Sequence, residues 1–231
     1  MADRLKSVSK AHTRYKTAAG MLVPGATTVT GLLNKPQLVR WANRLGLEGI
    51  DSSKYTDEAA AIGTLAHAMV LEHLTKEELD RTTFSAAQID QAENSVLSFL
   101  EWKKQHDIIP IACETKYVCD DIPFLAPDGE MKMVGYGGTV DCYCMLDGKG
   151  TLLDFKTGSG IYNEYFVQVA AYAELLKKAG LPVEECRILR IGRSEDEGFE
   201  DRSVPNTERY YEIFKSLLNV YFLKKELGWK G

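Results

Sequence analysis

The chain has 231 residues, 45% of them apolar and 26% charged, and its 28 Lys and Arg against 33 Asp and Glu give a net charge of -5. That length suits one domain with an added helical element, and the composition excludes collagen-like and largely disordered chains. No apolar run approaches the roughly 18 residues of a membrane helix, and the basic start lacks the apolar stretch of a secretory signal, so a soluble cytoplasmic protein with no membrane partner is expected.

Charge is distributed unevenly. Up to Arg44 eight basic residues (Arg4, Lys6, Lys10, Arg14, Lys16, Lys35, Arg40, Arg44) accompany one acid, Asp3, while the remainder holds 20 basic residues against 32 acids. A basic face beside an acidic body fits either a local polyanion site or a solvated tail.

In chain order, residues 1–26 read as a basic N-terminal segment, and residues 27–231 as a single domain. Thr27-Thr28-Val29-Thr30 offers helix caps, and Pro36 opens a short helix through Trp41 that stops at Gly46. Thr56 leads a longer helical run. Ser85 with Gln88 forms a capping box for a helix reaching about His106. From Ile108 the texture turns to β-rich runs, IIPIACETKYVC, MVGYGGTVDCYCML and TLLDFKT, with turn residues at Pro127-Asp128-Gly129 and Asp147-Gly148. A helix from about Asn163 to Lys178 stops before Gly180 and Pro182. The strand CRILRIGR then hairpins through SEDEG to a strand near Phe199, and an amphipathic helix spans about 206–227.

The five cysteines (Cys113, Cys119, Cys142, Cys144, Cys186) contain no CxxC pair. Cys142 and Cys144 point the same way in a strand, where a disulfide would be strained, so reduced thiols are expected.

The chemistry concentrates in GYGGTVDCYCMLDGKGTLLDFKTG. A two-residue loop at Asp147-Gly148 sets Asp141 opposite Asp154; a four-residue loop from Asp147 to Gly150 sets it opposite Lys156. In both registers Asp141, Asp154 and Lys156 share one face, and Val140, Cys142, Cys144, Leu146, Leu153 and Phe155 form the apolar one. Two carboxylates and a lysine on a largely buried hairpin call for a compensating charge, and a hard divalent cation supplies it. Alone, the set also fits a surface salt bridge.

These residues do not stand alone. G-x-V-D (Gly138 to Asp141), D-F-K (Asp154 to Lys156) and Q-V-A-A-Y (Gln168 to Tyr172), preceded by G-x-x-x-H (Gly63 to His67), resemble the PD-(D/E)xK nuclease superfamily in its RecB-like, phage-type exonuclease branch. The resemblance runs from about Thr27 to Arg193 and leaves out the C-terminal helix. It implies an α/β (α+β) fold with a restriction-endonuclease-like αβββαβ core over about 56–193, a mixed central sheet flanked by helices and an N-terminal helical extension. It further implies that Asp141, Asp154, the Phe155 carbonyl and His67 hold Mg²⁺ or Mn²⁺, and that Lys156 is catalytic. Gly63 would leave room beside the imidazole, one turn on. Glu114 stands where related nucleases place an acid near the metal, although Lys116 shares its face. Gln168 and Tyr172 would position the metal site or the DNA backbone, with Gln168 also assigned to catalysis, and Lys6, Lys10, Arg14, Lys16, Arg40 and Arg44 would guide the strand electrostatically.

One branch of this superfamily carries an iron-sulfur cluster held by one cysteine before the histidine motif and three after the Q-x-x-x-Y helix. Here none precedes Cys113 and one, Cys186, follows Tyr172, so no cluster is expected. Without a G-x-x-x-x-G-K-[ST] loop, a helicase would be a separate chain, as would a single-strand annealing partner. The function implied is a metal-dependent DNA exonuclease of phage recombination or repair, acting on single- or double-stranded ends in the cytosol of a bacterium or phage-infected host, with a homo-oligomer compatible. The alternatives are a structure- or sequence-specific endonuclease on the same core and a non-catalytic DNA-binding or recombination-partner module.

Overall fold

The computed structural model describes residues 14–229; Arg4, Lys6 and Lys10 of the basic start lie outside them. A short hairpin, β1 (Tyr15–Lys16) and β2 (Leu22–Val23), leads into helices α1 (Ala26–Thr30), α2 (Pro36–Leu47), α3 (Ser52–Thr75) and α4 (Ala86–Lys103). Three long strands follow, β3 (Ile108–Leu125), β4 (Met131–Leu146) and β5 (Lys149–Lys156). Helix α5 (Asn163–Lys178), strands β6 (Glu185–Ile191) and β7 (Phe199–Ser203) and helix α6 (Thr207–Glu226) complete the chain.

The main sheet has the order β3-β4-β5-β6-β7. All its pairings are antiparallel except β5 with β6, which run parallel because α5 carries the chain back between them. Helix, three strands, helix and strand thus occur in the order expected of a restriction-endonuclease-like core. Two apolar layers sandwich the sheet. On one face α3 and α4 pack Leu65, Met69, Val96 and Phe99 against Cys142, Cys144, Leu153 and Phe155. On the other, α5 and α6 pack Val169, Tyr172, Leu176 and Phe214 against Tyr136, Tyr143, Leu152 and Ile188.

Local chemistry accounts for most boundaries. Pro36 occupies the first turn of α2, which runs one residue past Gly46 to Leu47. Helix α3 starts four residues before Thr56, because the Asp51 carboxylate accepts from the Ser53 and Lys54 N–H groups and caps it there. Thr56 instead donates its hydroxyl to the Ser52 carbonyl inside the first turn. Both halves of the Ser85–Gln88 capping box are formed. The β4–β5 turn is the two-residue version, with Asp147 at φ 50° and Gly148 at φ 82°, the left-handed pair a tight hairpin needs. No helix among the described residues is long and apolar enough to cross a membrane.

One face assignment is corrected. Cys142, Cys144, Leu146, Leu153 and Phe155 lie in the α3–α4 layer, but Val140 packs in the α5–α6 layer with Tyr143 and Leu152. The alternation of β4 breaks at Asp141, the residue between Val140 and Cys142.

Because α4 hangs its first turn on one side chain, Ser85→Ala should cost about 1 kcal/mol. Urea titration should show a lower midpoint with an unchanged slope; an unchanged midpoint would refute the cap's contribution.

Candidate active site

The β4–β5 ladder closes at Cys142 opposite Leu153. One residue further, a side chain replaces the backbone as acceptor: the Phe155 N–H donates to Asp141 Oδ2 at 2.8 Å. The β3–β4 ladder has a gap at the same level. Cys113 pairs with Cys142 and Thr115 with Val140, while Glu114 lies between them with φ 46°. Helix α3 brings His67 to this point, its Nδ1 3.7 Å from Asp141 Oδ2. One potential ligand atom from each of His67, Glu114 and Asp141 lies within 4.8 Å of the other two.

Asp154 and Lys156 border this trio. Lys156 Nζ lies 2.6 Å from Asp154 Oδ2, with 2% of the Asp154 side chain exposed. The ion pair with Lys156 is what compensates this buried carboxylate oxygen. The Phe155 N–H donates to Asp141, and the Phe155 backbone lies in the electrostatic reach of the His67 ring.

The electrostatics describe a site short of positive charge. Burial raises Asp154 from 3.8 to about 6, with the Lys156 attraction lowering it and Asp141 repulsion raising it. Burial likewise raises Asp141, against the pull of Lys156 and the Phe155 N–H. Glu114 rises from 4.5 to about 7 through desolvation of its carboxyl and the Asp141 charge, tempered by the solvent that its side chain still meets. Burial, with Lys156 behind it, lowers His67 from 6.5 to about 4, so its imidazole is neutral and keeps a lone pair. Lys156 is held above its usual value: burial opposes its charge, and attraction to Asp154 and Asp141 outweighs burial. Three carboxyls, a neutral imidazole and a backbone carbonyl are a donor set that fits a hard divalent cation.

Gln168 and Tyr172 are both buried on α5, and Gln168 Nε2 donates to the Tyr172 hydroxyl at 3.0 Å. Tyr172 lies over Gly138, where a Cβ would come within 2.5 Å of its ring. The glycine of G-x-V-D is thus the space this ring fills. Gly63 is explained differently from the sequence expectation. A Cβ there would meet Thr157 Oγ1 at 2.6 Å, so its absence lets α3 approach the end of β5 rather than clearing the imidazole. Arg40 and Arg44 are exposed on α2, and their guanidinium groups carry no ion pair among the described residues. Lys116 makes no ion pair with Glu114 among the described residues.

Three neighbours escaped the sequence reading. Thr157 ends the D-F-K strand against α3. Tyr165 places its ring centroid 4.9 Å from Lys156 Nζ; it lies one turn before Gln168, and that i, i+3 spacing was the available signal. Tyr15 shares a hydrogen bond of 3.0 Å with Thr139 Oγ1 and stacks over Gly137, a contact across 124 residues with no local signature.

No protein-family profile and no curated protein matches the sequence. Among solved structures, the chain is similar to an alkaline exonuclease, LHK-Exo, from Laribacter hongkongensis, with 12% identity, a TM-score of 0.36, and 89% of this chain and 93% of that one covered. It is also similar to the crystal structure of SSO0001, with 10% identity, a TM-score of 0.34, and 69% of this chain and 73% of that one covered. At these values no activity passes from one chain to the other.

Two tests follow from the geometry. Gly63→Ala should displace α3 and with it His67, weakening Mn²⁺ binding about tenfold, and adding Thr157→Ala should restore it; calorimetry on both variants decides, and an undiminished single variant refutes the contact. The second test is pH. Asp154 and Glu114 have folded values above their unfolded ones, so the native metal-free chain binds extra protons between about pH 4 and 7, and stability falls as pH rises through that window. His67, lowered, acts oppositely between about pH 4 and 6.5, but one imidazole is outnumbered. Thermal melts with chelator should therefore decline toward pH 7, and Mn²⁺ should raise the melting temperature more at pH 8 than at pH 5. Equal Mn²⁺ effects at the two pH values would contradict the charge deficit.

Proposed function

We propose that the chain is a metal-dependent deoxyribonuclease of the PD-(D/E)xK type that degrades DNA from its ends. The observation that carries this reading is the meeting of His67, Glu114 and Asp141 within 4.8 Å, beside the buried Asp154–Lys156 pair. A structural salt bridge accounts for Asp154 and Lys156, but not for a neutral histidine and two further carboxyls converging on them. The motif order that resembles the RecB-like, phage-type branch supports nuclease chemistry over other uses of the same charges.

His67, Asp141, Asp154, Glu114 and the Phe155 carbonyl would hold Mg²⁺ or Mn²⁺. Such an ion, when bound, lowers the pKa of a coordinated water and neutralises charge on a phosphodiester. Lys156, charged and held by Asp154, supplies a donor to the phosphoryl oxygen as negative charge grows there and orients the attacking water. Tyr165 keeps the ammonium in place through its ring face. Gln168, fixed by Tyr172, is a positioning residue behind the D-F-K strand. Arg40 and Arg44, exposed and unpaired on α2 among the described residues, are suited to guide the phosphate backbone of the incoming strand.

The deciding experiment is a time course on end-labelled linear DNA and on closed circular DNA with Mg²⁺, Mn²⁺ or EDTA. Linear DNA should shorten from one end with either metal, circular DNA should stay intact, and EDTA should abolish the reaction. Lys156→Ala should slow it by about 10²- to 10³-fold. Cleaved circles would replace the exonuclease reading with an endonuclease. No metal-dependent cleavage of either substrate would overturn the enzyme.

A further inference from the structure

Cys113 and Cys142 are directly opposed in the β3–β4 ladder, with their Sγ atoms 3.6 Å apart. Each is adjacent in sequence to a member of the acidic cluster, Glu114 or Asp141. Opposed residues of an antiparallel pair have Cα atoms roughly 4.5–5.5 Å apart, inside the span of roughly 4.4–6.8 Å that a disulfide bridges. The strands therefore need no new register to be joined; the sulfurs need only close by about 1.5 Å.

Access to the two thiols is unequal. Cys142 is fully buried, whereas Cys113 is partly exposed and lines a cavity of about 660 Å³ with Glu114, Leu71 and Leu74. The third thiol nearby, Cys144, is buried and aims its Sγ at the Thr151 carbonyl, 3.8 Å away. Cys119 and Cys186 sit in the opposite apolar layer. A reagent entering the cavity meets Cys113 first and finds Cys142 directly behind it.

We infer that Cys113 and Cys142 are an oxidation site for peroxides, closing reversibly to a disulfide that weakens metal binding by His67, Glu114 and Asp141; the second half rests on reading that cluster as a metal site. In the first step the Cys113 sulfur attacks one peroxide oxygen and the O–O bond breaks. The thiol proton leaves with the other oxygen as water or an alcohol, and Cys113 becomes a sulfenic acid. In the second, the Cys142 sulfur displaces the hydroxyl group, the S–S bond forms and one water departs. Two electrons have passed from the thiols to the peroxide, and a dithiol returns them. The new bond draws β3 and β4 together beside Glu114 and Asp141, while His67 stays with α3. Losing the surroundings that orient metal ligands typically costs 10- to 100-fold in affinity, and the new bond disturbs those surroundings at Glu114 and Asp141.

The test uses the full chain, reduced, desalted and divided into an untreated sample and one exposed to hydrogen peroxide, then capped with N-ethylmaleimide. Non-reducing peptide mapping with fragmentation should find a Cys113–Cys142 crosslink that dithiothreitol removes, that persists in Cys144→Ser and that is absent in Cys113→Ser. Calorimetry with Mn²⁺ should show affinity lower by about tenfold or more in the oxidised sample, and no such loss in peroxide-treated Cys113→Ser. Failure to find the crosslink in wild type or Cys144→Ser overturns the oxidation site. A crosslink with unchanged Mn²⁺ affinity overturns its coupling to the metal. Reduced protein that binds no Mn²⁺ removes the metal reading and the coupling with it, and the peptide map still decides the thiol pair on its own.

Discussion

The site depends on a break in the alternation of β4 at Asp141. In a regular strand, residues two apart share a face, so Val140 and Cys142 would pack in one layer. They pack in opposite layers. The change of side between them takes Asp141 out of the regular alternation, and its carboxylate accepts from the Phe155 N–H where a ladder carbonyl would otherwise do so. Freed in this way, one side chain reaches His67 in the α3 layer while remaining in the field of Lys156, whose neighbour Tyr165 belongs to α5. A regular β4 would commit the carboxylate to one side of the sheet and divide the set.

Such an arrangement is expensive for the bare protein. Buried carboxylates need matching charge, and Lys156 is one cation beside the buried Asp154, the largely covered Asp141 and the more exposed Glu114. The molecule's response is visible in the directions of the shifts: every acid of the cluster is pushed toward its neutral form and the histidine away from its charged one. A core assembled for stability alone would have apolar groups here, since isosteric hydrophobic replacements of buried ions are commonly neutral or stabilising. The charge deficit therefore favours a role in binding, and the valence it lacks is that of a divalent cation.

Much of this was legible in the residues because it was local. The period-two pattern placed β4 and β5 and left two registers open, between which the fold takes the two-residue turn, and the Ser85 cap and the Gly180–Pro182 stop bounded helices by chemistry within a few residues. What escaped depended on contacts far apart in sequence. Gly63 faces Thr157 across 94 positions, and spacing on its own helix pointed to the wrong neighbour. Val140 followed the alternation rule on paper and broke it in the fold, because the irregularity arises from what lies opposite, in β3. Tyr15 reached Thr139 from the far end of the chain. Such long-range contacts are set by packing, which no local pattern encodes.

The companion of that irregularity is Glu114. A non-glycine residue in the left-handed region costs on the order of 1–3 kcal/mol and persists only where its surroundings over-determine it. Glu114 adopts φ 46° directly across from Asp141, in the one gap of an otherwise continuous stretch of ladder between Ala112 and Cys119. With regular backbone on both strands, Glu114 and Asp141 would form one more pair between Cys113–Cys142 and Thr115–Val140, and two like charges directly opposed repel. Relieving that repulsion alone would have them diverge into solvent. Instead their oxygens converge with the imidazole, so strain and repulsion are tolerated together at one point. Both become intelligible when a positive charge between the strands is what the two distortions serve.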